Sequence, residues 1–234
     1  MITIKNLCKA YKAHGGWNQV LDDVSAVFPD GRNVGILGLN GSGKSTLLRL
    51  IGGAESPDSG QITKNVRTSW PIGFSGGFQK GMTGREGARF VSRVYGANVR
   101  TTEKYVGDFA ELGPYFDMPI STYSSGMRGR LNFAISMALS FDCYLVDEVT
   151  AAGDRRFREK YRAAFEELGK RASMIMVSHQ SSTIQQYCDM AAVLHDGKLD
   201  LYDSLDEGMK VYESISAERR ALRARPRRAS EELH

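Results

Sequence analysis

The sequence predicts an α/β fold, with a mainly parallel sheet and a phosphate-binding loop at its carboxyl edge. Three stretches carry this reading. Val34-Gly35-Ile36-Leu37 is an apolar run that leads into Gly38-Leu39-Asn40-Gly41-Ser42-Gly43-Lys44-Ser45-Thr46 and then into the apolar-periodic Leu47-Leu48-Arg49-Leu50-Ile51. Cys143-Tyr144-Leu145-Val146 is a second apolar run, ending in Asp147-Glu148, and Met174-Ile175-Met176-Val177 is a third, closed by Ser178-His179. Short unbroken apolar runs of this kind suit strands covered on both faces, and their alternation with helical patterns excludes an all-β fold.

Taken in order, the N-terminal part reads as β, because Ile2 and Ile4, and then Val24, Ala26 and Phe28, alternate with polar residues. Tyr11 lies between these segments, followed by an expected loop around Gly15-Gly16-Trp17, and Pro29-Asp30-Gly31 turns the chain into the strand before the glycine-rich loop. Gly52-Gly53 ends the first helix and Pro57-Asp58-Ser59-Gly60 marks a turn. Residues 61–78 read as short strands and loops ending in Gly76-Gly77-Phe78-Gln79. Thr83 with Glu86 predicts a capping box, opening a helix that carries Phe90, Val91, Val94 and Tyr95 on one side. A second helix is expected over about 102–112, ending at Gly113-Pro114.

Ser124-Ser125-Gly126 starts a further helix through Leu131, Ile135 and Leu139. Phe157, Tyr161, Phe165 and Leu168 mark one face of the next. Ser182 with Gln185 predicts a helix cap, Asp196-Gly197 a hairpin, and Ser204 with Glu207 the cap of a last helix through Met209, Tyr212 and Ile215.

At 234 residues, with 41% hydrophobic and 25% charged residues, the composition is that of an ordinary globular chain able to bury a core. No run approaches the roughly 20 apolar residues of a membrane span, and Met1-Ile2-Thr3-Ile4-Lys5 lacks a signal-peptide core, so a cytosolic protein is expected. Cys8, Cys143 and Cys188 are scattered, which fits reduced, buried thiols better than disulfides or zinc. The net charge is +4, and Arg219, Arg220, Arg223, Arg225, Arg227 and Arg228 crowd the C-terminal end. That segment reads as a solvated, frayed tail, with an anionic membrane surface as the alternative. No basic motif interleaved with aromatics supports nucleic-acid binding.

The chemistry follows from the residue types. The G-x-x-x-x-G-K-[ST] spacing of Gly38 to Ser45 is that of a nucleotide phosphate loop, in which Gly38, Asn40, Gly41, Ser42, Gly43 and Thr46 shape the cradle. Lys44 can reach the β/γ-phosphates, and the Ser45 hydroxyl can bind Mg²⁺. Asp147, at the end of a buried strand, can hold Mg²⁺ directly or through water. Glu148 can act as general base toward a water attacking the γ-phosphate. His179 ends the next strand on the same sheet edge, where it can contact the γ-phosphate or orient Glu148. Ser124-Ser125-Gly126 presents N–H groups and a hydroxyl at a helix start, a second anion cup in a chain that already has one. Tyr11 can stack on an adenine face, and Gln79 alone is a weak signal.

Together these segments, with Thr150-Ala151-Ala152-Gly153-Asp154, resemble the ATP-binding subunits of ABC transporters over about residues 1–200. The resemblance implies a P-loop ATPase fold with an antiparallel β subdomain, a RecA-like core and a helical subdomain over about 82–140. It implies a nucleotide-binding domain over 1–216 and a basic tail over 217–234. It further implies ATP and Mg²⁺ as cofactors, and a head-to-tail homodimer in which each ATP lies between one phosphate loop and the partner's signature helix. On it, Tyr11 is the adenine-stacking aromatic, Gln79 the residue that senses Mg²⁺ and the membrane partner, Ser124 and Gly126 signature residues, Asp154 the cross-dimer aspartate and His179 the switch histidine.

Two departures stand out. The signature reads Tyr123-Ser124-Ser125-Gly126-Met127 where Leu-Ser-Gly-Gly-Gln is common, and Val149 replaces a usual proline. Trp70-Pro71-Ile72-Gly73, Gly76-Gly77-Phe78-Gln79, Thr83-Gly84-Arg85-Glu86 and Phe116-Asp117-Met118-Pro119 look like those of bacterial polysaccharide exporters, most of all the KpsT-type capsular export ATPases. That likeness implies integral membrane permease subunits, envelope-spanning capsule export proteins and a peripheral position on the cytoplasmic face of the inner membrane. O-antigen relatives often carry an added carbohydrate-binding domain for which this chain leaves no room, which favours the capsule type. O-antigen or teichoic-acid exporters, soluble ABC proteins acting on ribosomes or DNA, and small-molecule kinases are the alternatives. A kinase would have no use for the Ser124-Ser125-Gly126 helix start or for His179.

Overall fold

The computed structural model describes residues 1–72, 81–147, 155–178 and 180–224. Two sheets organise the chain. In the first, β1 (Ile2–Ala13) pairs antiparallel with β2 (Gly16–Phe28) and with β4 (Ser59–Lys64), in the order β2-β1-β4. Ile2, Ile4, Val24, Ala26 and Phe28 are all buried, as the alternation predicts, and Leu7 joins them beyond a register shift after Ile4. Ala13 pairs with Gly16 and Lys12 with Trp17, so the hairpin turns over His14-Gly15 alone. The loop expected around Gly16-Trp17 is therefore strand, with Gly15 and Gly16 supplying the positive φ of the reversal at +97° and +144°.

The second sheet has the order β5-β6-β3-β7-β8. β5 (Cys143–Asp147), β6 (Ser173–Val177), β3 (Val34–Leu37) and β7 (Met190–His195) are parallel, and β8 (Lys198–Tyr202) closes the edge antiparallel to β7. The Asp196-Gly197 hairpin forms as expected, with φ of +45° and +77°. Both faces of the sheet are covered, and side chains alternate between two cores. Ile36, Leu145 and Ile175 pack with Leu47, Leu48 and Ile51 of α1 (Lys44–Gly52). Leu37, Tyr144, Val146, Met174 and Met176 join the larger core on the opposite face. Gly53, at φ +75°, stops α1.

The helical part comprises α2 (Gly84–Val94), α3 (Val99–Ala110) and α4 (Ser125–Ala138). Thr83 and Glu86 form the predicted capping box of α2. A run of aromatic contacts, Phe109 on Phe133 and Phe133 on Tyr161 and Phe165, ties α3 and α4 to α5 (Arg155–Gly169).

The side of α2 marked by Phe90, Val91, Val94 and Tyr95 is only partly covered: Val91 is buried, whereas Phe90 is 52% and Val94 61% exposed. Three expectations are corrected. α3 starts at Val99 rather than near 102, because Asn98 accepts from the Thr101 N–H and caps it there. α6 (Ser181–Tyr187) begins after Gln180, so Ser182 lies inside the first turn and is not its cap. α7 (Leu205–Ala224) runs helical past residue 216 into the arginine-rich segment, where Arg219 pairs with Asp196. Arginine is a good helix former, which suits the helical continuation. Arg225, Arg227 and Arg228 of the expected tail lie outside the described residues.

The three cysteines are free thiols, and burial pushes Cys188 up to about 12. No helix among the described residues is long and apolar enough to cross a membrane.

Candidate nucleotide site

Topology places the site before any side chain is considered. β3 lies between β6 and β7, while the next parallel strand in chain order, β5, lies beyond β6. The carboxyl end of β3 is thus next to a point where the chain order reverses, the position at which open α/β sheets bind ligands. Val177 pairs with both Asp147 and Ile36, so β5, β6 and β3 end level with one another. The phosphate loop, Asp147 and the residues after Val177 consequently share one edge.

The loop is held open by its glycines. Gly41 and Gly43 have φ of +79° and +103°, which turns successive N–H groups toward a common centre. Gly38 is required for a different reason: a Cβ there would lie 2.5 Å from the Leu194 carbonyl oxygen and 2.6 Å from Ser42 Oγ. The helix that follows offers its N-terminus uncompensated, since Gly43 supplies no side-chain cap and the first turn carries no acidic residue. An anion is the ligand that such an end favours. Ser42 Oγ is buried with no hydrogen-bond partner among the described residues, a deficit of about 1–3 kcal/mol that a ligand or a water would relieve.

Lys44 is buried, and its ammonium donates to the carbonyl oxygens of Gly38 at 2.8 Å and Leu39 at 2.9 Å. The cation therefore already sits within the loop that would receive the phosphates. Ser45 Oγ donates to Asp147 Oδ1 at 3.0 Å, joining two residues 102 positions apart. Two oxygens bound cis to Mg²⁺ at its usual 2.0–2.1 Å would be about 3 Å apart. Ser45 and Asp147 would thus suit Mg²⁺, which would supply charge neutralisation to bound phosphates. Asp147→Asn is expected to raise the Mg²⁺ concentration for half-maximal ATP hydrolysis by about tenfold or more, while metal-free ATP binding changes little. Titrating Mg²⁺ against phosphate release checks this.

Tyr11 lines the same cleft, of about 350 Å³, together with Val20, Asn40, Lys44, Ser45, Thr46 and Asp147. A second cleft of about 240 Å³ lies on the other side of the loop, between Asn40 and Ser42 and the turn His195-Asp196-Gly197.

Residues 21–151 match the ABC transporter family. The chain belongs to that family. It is 48% identical over 224 residues to the polysialic acid transport ATP-binding protein KpsT of Escherichia coli, covering 93% of this chain and 100% of the relative. It is 44% identical over 215 residues to the capsule polysaccharide export ATP-binding protein CtrD of Neisseria meningitidis, covering 92% and 100%. The O-antigen export system ATP-binding protein RfbB of Myxococcus xanthus is 38% identical over 183 residues, covering 76% of this chain and 41% of the relative. Among solved structures, the ATP-binding cassette MJ0796 in a dimeric post-hydrolysis state bound to ADP and Pi superposes with a TM-score of 0.70. That match has 21% identity and covers 86% of this chain and 97% of the other, so what it shows is the fold.

In this ABC transporter chain, the structure brings Tyr11, Asn40, Gly41, Gly43, Lys44, Ser45, Thr46 and Asp147 to one cleft. Ser42 lines the second cleft, and Gly38 packs against Ser42 Oγ and the Leu194 carbonyl. Ser124, Ser125 and Gly126 do not line the first cleft. They stand at the start of α4, where Ser124 Oγ accepts from the Met127 N–H at 3.2 Å, and both serines are exposed. Among the described residues, a Cβ on Gly126 would meet nothing closer than Ser124 Oγ at 3.9 Å, so none of them requires glycine there. A helix-start glycine with open space above it leaves room for an external approach. Gln79, Glu148, Asp154 and His179 lie outside the described residues.

Sequence reasoning passed over Glu55, Arg49 and Lys9, which meet beneath Tyr11. The only local signal was the turn at Pro57-Asp58, whose Asp58 carboxylate accepts from the Ala10 N–H at 2.6 Å and draws that loop onto β1.

Proposed function

We propose that this chain is the ATP-hydrolysing subunit of an exporter of capsular, lipid-linked polysaccharide. It works as a homodimer beneath separate membrane permease subunits, at the cytoplasmic face of the inner membrane, with Mg²⁺ as the metal. Likeness to capsule export proteins carries the cargo class: 43–48% identity across 98–100% of their length, against 35–38% for O-antigen and teichoic-acid export relatives. The ATP engine rests on the Ser45–Asp147 pair beside an anion-ready loop.

In this reading Lys44 and the loop amides hold the β- and γ-phosphates, and Ser45, Asp147 and Gln79 serve the metal. Glu148 takes the proton from the attacking water, and His179 orients it against the γ-phosphate. The exposed start of α4, with Ser124, Ser125 and Gly126, closes over the γ-phosphate of a second copy, and Asp154 crosses the same interface. ATP binding closes the dimer; hydrolysis and release open it. The exposed Phe90 and Val94 on α2, next in the chain after the Gln79 segment, give the permease an apolar face to press on. Envelope-spanning capsule export proteins complete the assembly, and the cargo is selected outside this chain.

The test is a mild-detergent pull-down of this protein from its native membranes, with partners identified by mass spectrometry. A polytopic permease together with capsule-export proteins is the expected result. Recovery of ribosomes or nucleic acid without a membrane partner would overturn the reading.

A further inference from the structure

Beneath Tyr11 lies a compact polar network that meets the phosphate loop only at the Thr46 hydroxyl. The Tyr11 hydroxyl donates to Glu55 Oε1 at 2.6 Å and lies 3.4 Å from Thr46 Oγ1. The other oxygen of the same carboxylate, Oε2, accepts from Arg49 Nε at 3.2 Å, and Arg49 also donates to Thr46 Oγ1 at 3.0 Å. Lys9 Nζ stands 3.5 Å from Glu55 Oε1 and 5.5 Å from the centre of the Tyr11 ring, within cation–π range. Asp58 and the Ser56 carbonyl oxygen anchor that ammonium at 3.0 and 2.9 Å.

Glu55 is only 22% exposed. Burial pushes its carboxyl up, but hydrogen bonds from Tyr11 and Arg49 outweigh this and hold it below its ordinary value. It is therefore an anion at neutral pH, shared between an aromatic on β1 and a guanidinium on α1. One residue in the loop after α1 thus ties the cleft-lining ring of Tyr11 to Arg49 in the last turn of the phosphate-loop helix.

We infer that Glu55 is a positioning residue for the nucleotide base: it fixes the Tyr11 ring in the cleft before ATP arrives. The inference rests on the reading that Tyr11 takes the adenine. A side chain already ordered in its bound geometry loses no rotamer freedom on binding. Without Glu55 the ring must be ordered at the expense of affinity, and only ligands with a base feel the difference. The phosphates are held by Lys44 and the loop amides, which touch Glu55 only through Arg49 and Thr46.

The experiment measures the KM for ATP and kcat of the purified protein, and inhibition by tripolyphosphate, which carries the phosphates without a base. Glu55→Ala is expected to raise the KM for ATP about three- to tenfold at unchanged kcat, with tripolyphosphate inhibition unaltered. Glu55→Gln keeps an acceptor for the Tyr11 hydroxyl and should fall nearer the unsubstituted protein. Tyr11→Phe keeps the ring and removes only the hydroxyl, so it should reproduce the Glu55→Ala shift even if Glu55→Ala folds poorly.

An unchanged KM for ATP in both Glu55→Ala and Tyr11→Phe would overturn the inference, as would tripolyphosphate binding that weakens in parallel. Tyr11→Ala separates the layers. If it costs discrimination between ATP and tripolyphosphate while Glu55→Ala does not, Glu55 alone loses its role. If Tyr11→Ala leaves that discrimination intact, the adenine reading of Tyr11 fails first.

Discussion

Lys44→Ala abolishes ATP turnover and weakens nucleotide binding by roughly 100-fold, the first of the two largest effects expected. Its ammonium is buried and donates two hydrogen bonds inside the loop, to Gly38 and Leu39. Those carbonyls have water as their alternative partner, whereas a phosphate has no other buried cation of this reach in the loop sequence. Hydrogen bonds to charged groups contribute about 1.5–3 kcal/mol, and each 1.4 kcal/mol is a factor of ten in affinity. Lys44→Arg fails as well, because a planar guanidinium does not occupy the space of a compact ammonium. Calorimetric titration with ATP, alongside circular dichroism to confirm folding, checks both variants. Retained binding with normal turnover in Lys44→Ala would contradict the phosphate-loop account.

The second large effect is on chemistry and not on binding. Glu148→Gln keeps the shape of the side chain and removes its ability to take a proton. General bases contribute about 10²–10⁴ in rate, so phosphate release is expected to fall by that range while ATP affinity is kept. Asp147→Asn, one residue earlier, fails differently. Its defect follows the Mg²⁺ concentration, because Asp147 sits against Ser45 Oγ at 3.0 Å. A Glu148→Gln protein that hydrolyses ATP at the unsubstituted rate would exclude Glu148 as the base.

The phosphate loop and the parallel strands were legible because each is dictated locally. A four-residue strand buried along its whole length must be apolar throughout, and Val34–Leu37 is. The meeting of Ser45 with Asp147 followed from the phosphate loop leaving the carboxyl end of β3 and Asp147 ending β5, two parallel strands that the register levels through Val177. Other features depend on which surfaces meet, and periodicity does not encode that. The spacing of Phe90, Val91 and Val94 says that they share a side of α2, but not that Phe90 and Val94 stay exposed. The Tyr11–Glu55 bond spans 44 positions and needs the loop after α1 to be drawn onto β1 by Asp58 and Lys9. The helical continuation of α7 was hidden by its arginines, which read as solvated until Arg219 is seen against Asp196. The start of α4 lies between these extremes: the sequence marks a second anion cup, and the fold leaves it exposed and unused within one chain.

That exposed cup carries the central claim, that two copies close on ATP. Sedimentation velocity of the Glu148→Gln protein, with and without ATP and Mg²⁺, tests it most directly, since slow turnover traps the closed state. The account predicts a monomer without nucleotide and a dimer with it, and a monomer throughout when Gly126→Arg is added to fill the space above α4. A monomer at saturating ATP, or a dimer indifferent to nucleotide and to Gly126→Arg, would contradict it.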